Sequence, residues 1–151
     1  MNLSLEKVYL DNFHSINSAK FAPFAGFNMP INYSAGIINE HLHTRKFTSV
    51  FDVSHMGKIL ISSTNYNLNT LEKFIPIDLF NLNFGNSSYT FILNKDGGII
   101  DDIIISKIKI KETDYIFIVY NASRKQKVEK ILIEKLDNYE ILSNHSLLAI
   151  Q

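Results

Sequence analysis

The sequence predicts an α+β fold: a mostly antiparallel sheet with helices packed on one side. Three observations predict it. Strand-like runs dominate the second half, a polar, glycine-bearing pentapeptide (94–98) separates two of them, and three other segments carry apolar residues at helical spacing. With 151 residues, 46% hydrophobic and 20% charged, the chain can build a packed core and suits one domain.

The elements follow in order. Residues 20–33 (KFAPFAGFNMPINY), rich in Phe, Gly and Pro, read as a packed loop. A helix is expected after Ser34, with Ile38, Leu42 and Arg45 on adjoining turns. Residues 57–62 (GKILIS) read as a strand. Residues 67–75 place Leu68, Leu71 and Phe74 at helical spacing, with Thr64 or Asn65 as N-cap, and Pro76 discourages continuation. Residues 88–93 (SYTFIL) and 99–110 predict a hairpin about the turn NKDGG. Residues 115–120 (YIFIVY) are a third β-rich run. A helix over 123–136 aligns Val128, Leu132 and Leu136 on one face and sets Lys125–Glu129 and Lys130–Glu134 at i,i+4. Strands at 139–142 and 147–150 complete the pattern. The last of these, LLAIQ, has no polar tail and is expected to continue into further chain.

Composition excludes several classes. Fifteen basic and fifteen acidic residues cancel, so no basic stripe offers itself to nucleic-acid phosphates. With no cysteine, disulfides and thiolate chemistry are absent. The most apolar stretch, 99–105, is interrupted by Asp101 and Asp102 and is far shorter than the roughly 20 residues of a membrane span. The first twenty residues carry Glu6 and Asp11, unlike an export or transit signal, so the cytoplasm is expected.

The residues that could carry chemistry are few. In an extended segment, Asp101 shares a face with Ile99, Ile103 and Ile105, and Asp102 shares the other with Ile100 and Ile104. One carboxylate therefore lies among aliphatic groups, which costs several kcal/mol unless it is paired. The alternative is a sheet edge where both acids meet water or turn amides. His41 and His43, two apart on a helix, diverge too far to share a cation, and His55 stands alone, so no metal site is expected. Ser54 and His55 point apart in a strand and make a poor nucleophile pair. Asn121 reads most simply as a helix N-cap, while Arg124 in the first turn opposes the helix dipole.

Taken together, FAPFAGFNMPINYSAGIINEHLHTR, VFDVSHMGKI, SSYTFILNKDGGIIDDIIISKI, IFIVYNASRKQK and LLAIQ resemble the amino-terminal part of the aminomethyltransferases, the T-proteins of the glycine cleavage system. Two departures are visible: Phe27 stands where the family usually has tryptophan, and Ser49 where glycine is common. The resemblance implies that residues 1–151 are the amino-terminal folate-binding domain, with later segments of the family absent. It also implies transfer of the methylene of the aminomethyl-lipoyl H protein to tetrahydrofolate, with release of ammonia. Asp101 is then the essential acid, and Met56, Tyr89 and Asn121 line the folate pocket. A desolvated carboxylate can hydrogen-bond a pterin and stabilise developing positive charge. Tyr89 and Met56 supply flat and adaptable apolar contact, and Asn121 a donor and an acceptor. Because the family draws further folate contacts from later segments, these residues alone are expected to bind folate poorly. Related activities remain open: a folate-dependent demethylase, or a non-catalytic folate-binding protein linked to iron–sulfur maintenance and tRNA modification.

Overall fold

The structure, a computed structural model, describes residues 5–151. In chain order the elements are β1 (Glu6–Lys7), α1 (Asp11–Ile16), β2 (Lys20–Phe24), β3 (Phe27–Asn32), α2 (Ile37–Lys46), β4 (Val50–Asp52), β5 (Gly57–Ser62) and α3 (Asn65–Leu71). There follow β6 (Ser87–Leu93), β7 (Ile99–Ile110), β8 (Thr113–Tyr120), a 3-10 turn (Ala122–Arg124), α4 (Lys125–Lys135), β9 (Tyr139–Ile141) and β10 (Leu148–Ile150). They form two compact units: the chain up to His55 together with 144–151, and residues 56–143.

In the first unit, β2 and β3 pair antiparallel and β1 adds in parallel, in the order β1-β3-β2. Residues 20–33 are therefore a hairpin and not the loop that their composition suggests. The turn is Ala25-Gly26, with φ of 48° and 87°, the doubly left-handed geometry whose twist suits a two-residue hairpin. Pro30 is tolerated in β3 because β1 reaches only Phe27 and Asn28. Phe27 and Met29 bury with Val8 in a small core. The helix expected after Ser34 is present, but Ile38 and Leu42 are both exposed. β4 and β10 pair antiparallel, and Ser49 and Gln151 exchange both backbone bonds beyond the ladder. Ser49 also accepts from the Thr44 hydroxyl at 2.7 Å.

The second unit is a five-stranded antiparallel sheet, β6-β7-β8-β5-β9. One face, built from Ile59, Ile61, Ile92, Ile103, Ile105, Ile116, Ile118 and Tyr120, packs against Leu68 and Leu71 of α3 and Val128 and Leu132 of α4. Thr64 caps α3 by accepting from the Asn67 N–H. This helix stops at Leu71, short of the 67–75 that spacing predicts, yet Ile75 and Leu79 stay in the core. The NKDGG hairpin forms as predicted: Asn94 Oδ1 accepts the N–H groups of Asp96 and Gly98, and Gly97 takes φ 79°. Asn67, fully buried, spends its amide on the carbonyls of Ser62 and Asp137 and accepts from the Asp137 N–H. Gly57 lies against the Tyr120 ring, which a Cβ at this position would overlap. The ring cannot swing aside, because it is fully buried and its hydroxyl donates to Glu129 at 2.9 Å.

Candidate functional site

The acid pair sits where β7 departs from regular pairing. Ile92 faces Asp101 but Leu93 faces Ile99, so one residue of β7, Ile100, is extra. This bulge overturns the face expected for Ile99. Ile99 is 63% exposed, Ile100 packs against the main core, and Asp101 is buried at 5% with Ile103 and Ile105. Asp102, opposite Phe91, is exposed. Of the two arrangements open from sequence, one acid among aliphatic side chains is the one that forms.

What offsets the burial of Asp101 is Asn121. Asp101 Oδ2 accepts the Asn121 backbone N–H at 3.0 Å, and Oδ1 accepts its side-chain amide at 2.9 Å. Both carboxylate oxygens are acceptors, as suits an ionised acid. Asn121 does hold the N-cap position of the 3-10 turn, but its side chain makes no cap bond. The amide turns instead to the acids, also reaching Asp102 Oδ1 at 2.9 Å and the Asp102 carbonyl at 3.2 Å. Ile103 pairs with Tyr120, so Asn121 leaves β8 directly beside Asp102 and straddles the strand that carries both acids.

Tyr89 is 64% exposed on the sheet face opposite to Asp101, and its hydroxyl donates to Asp102 Oδ2 at 3.1 Å. That bond, with a smaller contribution from desolvation, raises the phenol above its ordinary range. Tyr89, Asp102, Asn121 and Asp101 thus form one hydrogen-bonded chain across the strand edge. Met56 is half-buried and precedes Gly57, which pairs with Tyr120, so Met56 and Asn121 stand at the same end of the β5–β8 ladder. The Met56 carbonyl accepts from Lys58 Nζ at 3.3 Å.

The histidines fall elsewhere. His41 and His43 are exposed on α2, and among the described residues no group of three or more His, Asp or Glu side chains could hold a metal. His55 is buried, its ring edge-on to Phe24 and Phe27. Ser54 Oγ accepts the Leu147 N–H at 2.9 Å.

One buried polar group in the first unit was not legible in the sequence. His14 Nε2 lies 2.8 Å from Asp52 Oδ2, and His14 Nδ1 lies 2.6 Å from the Tyr33 hydroxyl. Asp52 Oδ1 accepts the Ser54 N–H at 2.9 Å. Burial alone would raise the Asp52 carboxyl, but hydrogen bonds from His14 and Ser54, with the His14 charge, outweigh it and lower it. Tyr33 is raised, first by burial and then by the charges of Asp52 and Glu40. The partners lie 38 and 19 residues apart, and no periodicity reports such pairs.

No helix among the described residues is long and apolar enough to cross a membrane. Solved structures include one similar along almost the whole chain: glycine cleavage system aminomethyltransferase T from Bartonella henselae. It is 32% identical with a TM-score of 0.81, and the match covers 98% of this chain and 41% of that one. The mitochondrial aminomethyltransferase of Dictyostelium discoideum is 35% identical over 97% of this chain and 38% of its own length. That of Prosthecochloris aestuarii is 37% identical over 97% and 41%. The chain therefore spans about two fifths of the length of these relatives. The family model described as the GCVT N-terminal domain matches residues 10–151, and the chain belongs to that family.

Proposed function

We propose that the chain is the amino-terminal folate-binding part of an aminomethyltransferase of glycine catabolism. In this reading it takes part in moving the methylene of the aminomethyl-lipoyl H protein to tetrahydrofolate. Two new C–N bonds replace the C–S and C–N bonds of the aminomethyl group. The two N–H protons displaced from tetrahydrofolate leave on the lipoyl sulfur and in ammonia. The observation that carries the reading is Asp101: a carboxylate 5% exposed in an apolar strand, oriented through both oxygens by Asn121.

The residues suit a pterin. Asp101 offers a fixed negative charge beside N–H donors and developing positive charge, in surroundings that weaken it less than water does. The exposed ring of Tyr89 offers a stacking face, and Met56 an adaptable thioether. We take Asp101 as the catalytic acid, Met56, Tyr89 and Asn121 as folate contacts, and the cytoplasm as the setting. The names of the relatives favour aminomethyl transfer over demethylation.

The test is a chimera in which this chain replaces the matching part of a full-length relative. Methylene-tetrahydrofolate should form from aminomethylated H protein and tetrahydrofolate. A folded chimera that binds neither folate nor H protein would refute the reading.

A further inference from the structure

We propose that Asp102, the second acid of the pair, is a positioning residue: it orients the Asn121 carboxamide and the Tyr89 hydroxyl, and so decides which atom each presents to the pterin. This rests on the folate reading above and extends it to a residue that acts through others.

The Asn121 amide nitrogen carries two N–H groups, and three oxygens surround it: Asp101 Oδ1 at 2.9 Å, Asp102 Oδ1 at 2.9 Å and the Asp102 carbonyl at 3.2 Å. The backbone N–H is spent on Asp101 Oδ2. Turning the carboxamide over would drive Oδ1 against two carboxylates. Asp101 takes one N–H, and the other lies between the Asp102 carboxylate and the more distant Asp102 carbonyl, of which the charged oxygen is the stronger acceptor. Asp102 supplies the second anchor, which leaves Oδ1 as the atom facing outward. Asn121, expected to offer a ligand both a donor and an acceptor, instead has its donors engaged within the protein.

Tyr89 is treated in the same way. Its hydrogen points to Asp102 Oδ2 at 3.1 Å, so the phenol oxygen keeps only lone pairs for a ligand. Strand alternation from Asp101 onward makes this possible, because it places Asp101 on the buried face with Ile103 and Ile105 and Asp102 on the exposed one, with Asn121 reaching both from the adjoining strand end. The result is an edge of acceptors, complementary to a flat heterocycle with adjacent N–H donors. Asp102 is exposed, so its removal tests orientation with little effect on the fold.

Two readouts decide it. In 15N-labelled chain, Asp102→Ala should move the Asn121 side-chain amide signals upfield and speed their exchange with water about tenfold. In the chimera, Asp102→Ala should raise KM for tetrahydrofolate about tenfold with kcat within about twofold, and Asp102→Asn should recover part of the loss. The increase in KM should vanish when Asn121→Ala and Tyr89→Phe are already present. Unchanged Asn121 signals, or a KM increase of the same size in that background, would overturn the positioning role. A wild-type chimera inert toward tetrahydrofolate would overturn the folate reading itself, whatever the amide signals do.

Discussion

Asp101 holds Asn121 at two points, the backbone N–H at 3.0 Å and the side-chain amide at 2.9 Å, although the two residues lie 20 apart in the chain. The grip works both ways. It satisfies a buried carboxylate, and it fixes the first residue after β8 against the strand edge.

That relationship makes Asp101→Asn the sharpest test of the site. The shape is kept, but one of the two oxygens becomes a donor facing a donor. In the chimera, transfer should fall by at least about a hundredfold, the scale on which a fixed electrostatic partner acts. The unfolding midpoint should shift only modestly, and Asp102→Asn should cost less activity. A reversed ranking of the two variants would show that the wrong acid has been assigned.

The His14–Asp52 pair predicts a pH dependence of stability. The folded Asp52 carboxyl is lowered, so its contribution is complete above the ordinary carboxylate value of about 3.9 and is lost as pH falls through the lowered folded value. Asp52→Asn should therefore cost about 1–3 kcal/mol near neutrality, since it disrupts a buried charged hydrogen bond. The gap from wild type should begin to narrow below roughly pH 4 and go on narrowing as pH falls toward the lowered folded value. Urea denaturation of both proteins from pH 3 to 8 measures it, and a gap independent of pH would contradict the assignment.

Gly57→Ala should destabilise by about 1–3 kcal/mol, the usual cost of overpacking a filled site. The clash is with Tyr120, whose hydroxyl is tied to Glu129, so the cost should shrink in a Tyr120→Leu background. Equal costs in both backgrounds would place the strain elsewhere.

Asn67→Ala removes the partner of two carbonyls and one N–H in a fully buried position. A loss of at least about 1–3 kcal/mol is expected, with faster hydrogen exchange at Asp137. Unchanged exchange there would mean that water replaces the amide.

The order of strands and helices in the second unit was legible from residue patterns alone, because each element there buries a periodic apolar face: Leu68 and Leu71, Val128 and Leu132, and the alternating isoleucines of β7 and β8. Local chemistry also sufficed where it is self-contained, as in the Thr64 cap and the Asn94 turn. The family motifs pointed to Asp101, Met56, Tyr89 and Asn121. Only the tertiary structure decided the rest. The hairpin at residues 20–33 depends on two left-handed φ angles, which composition does not display when one of them belongs to alanine. The bulge at Ile100 moved Ile99 off the face of Asp101, because strand alternation holds only while the partner strand keeps register. Asn121 serves the acids and not the helix end because a carboxamide takes the strongest acceptors within reach, and those came from a strand 20 residues away. The His14–Asp52–Tyr33 group is of the same kind. Periodicity reports which way a side chain faces, whereas a hydrogen bond between distant residues exists only once folding has brought them to within about 3 Å.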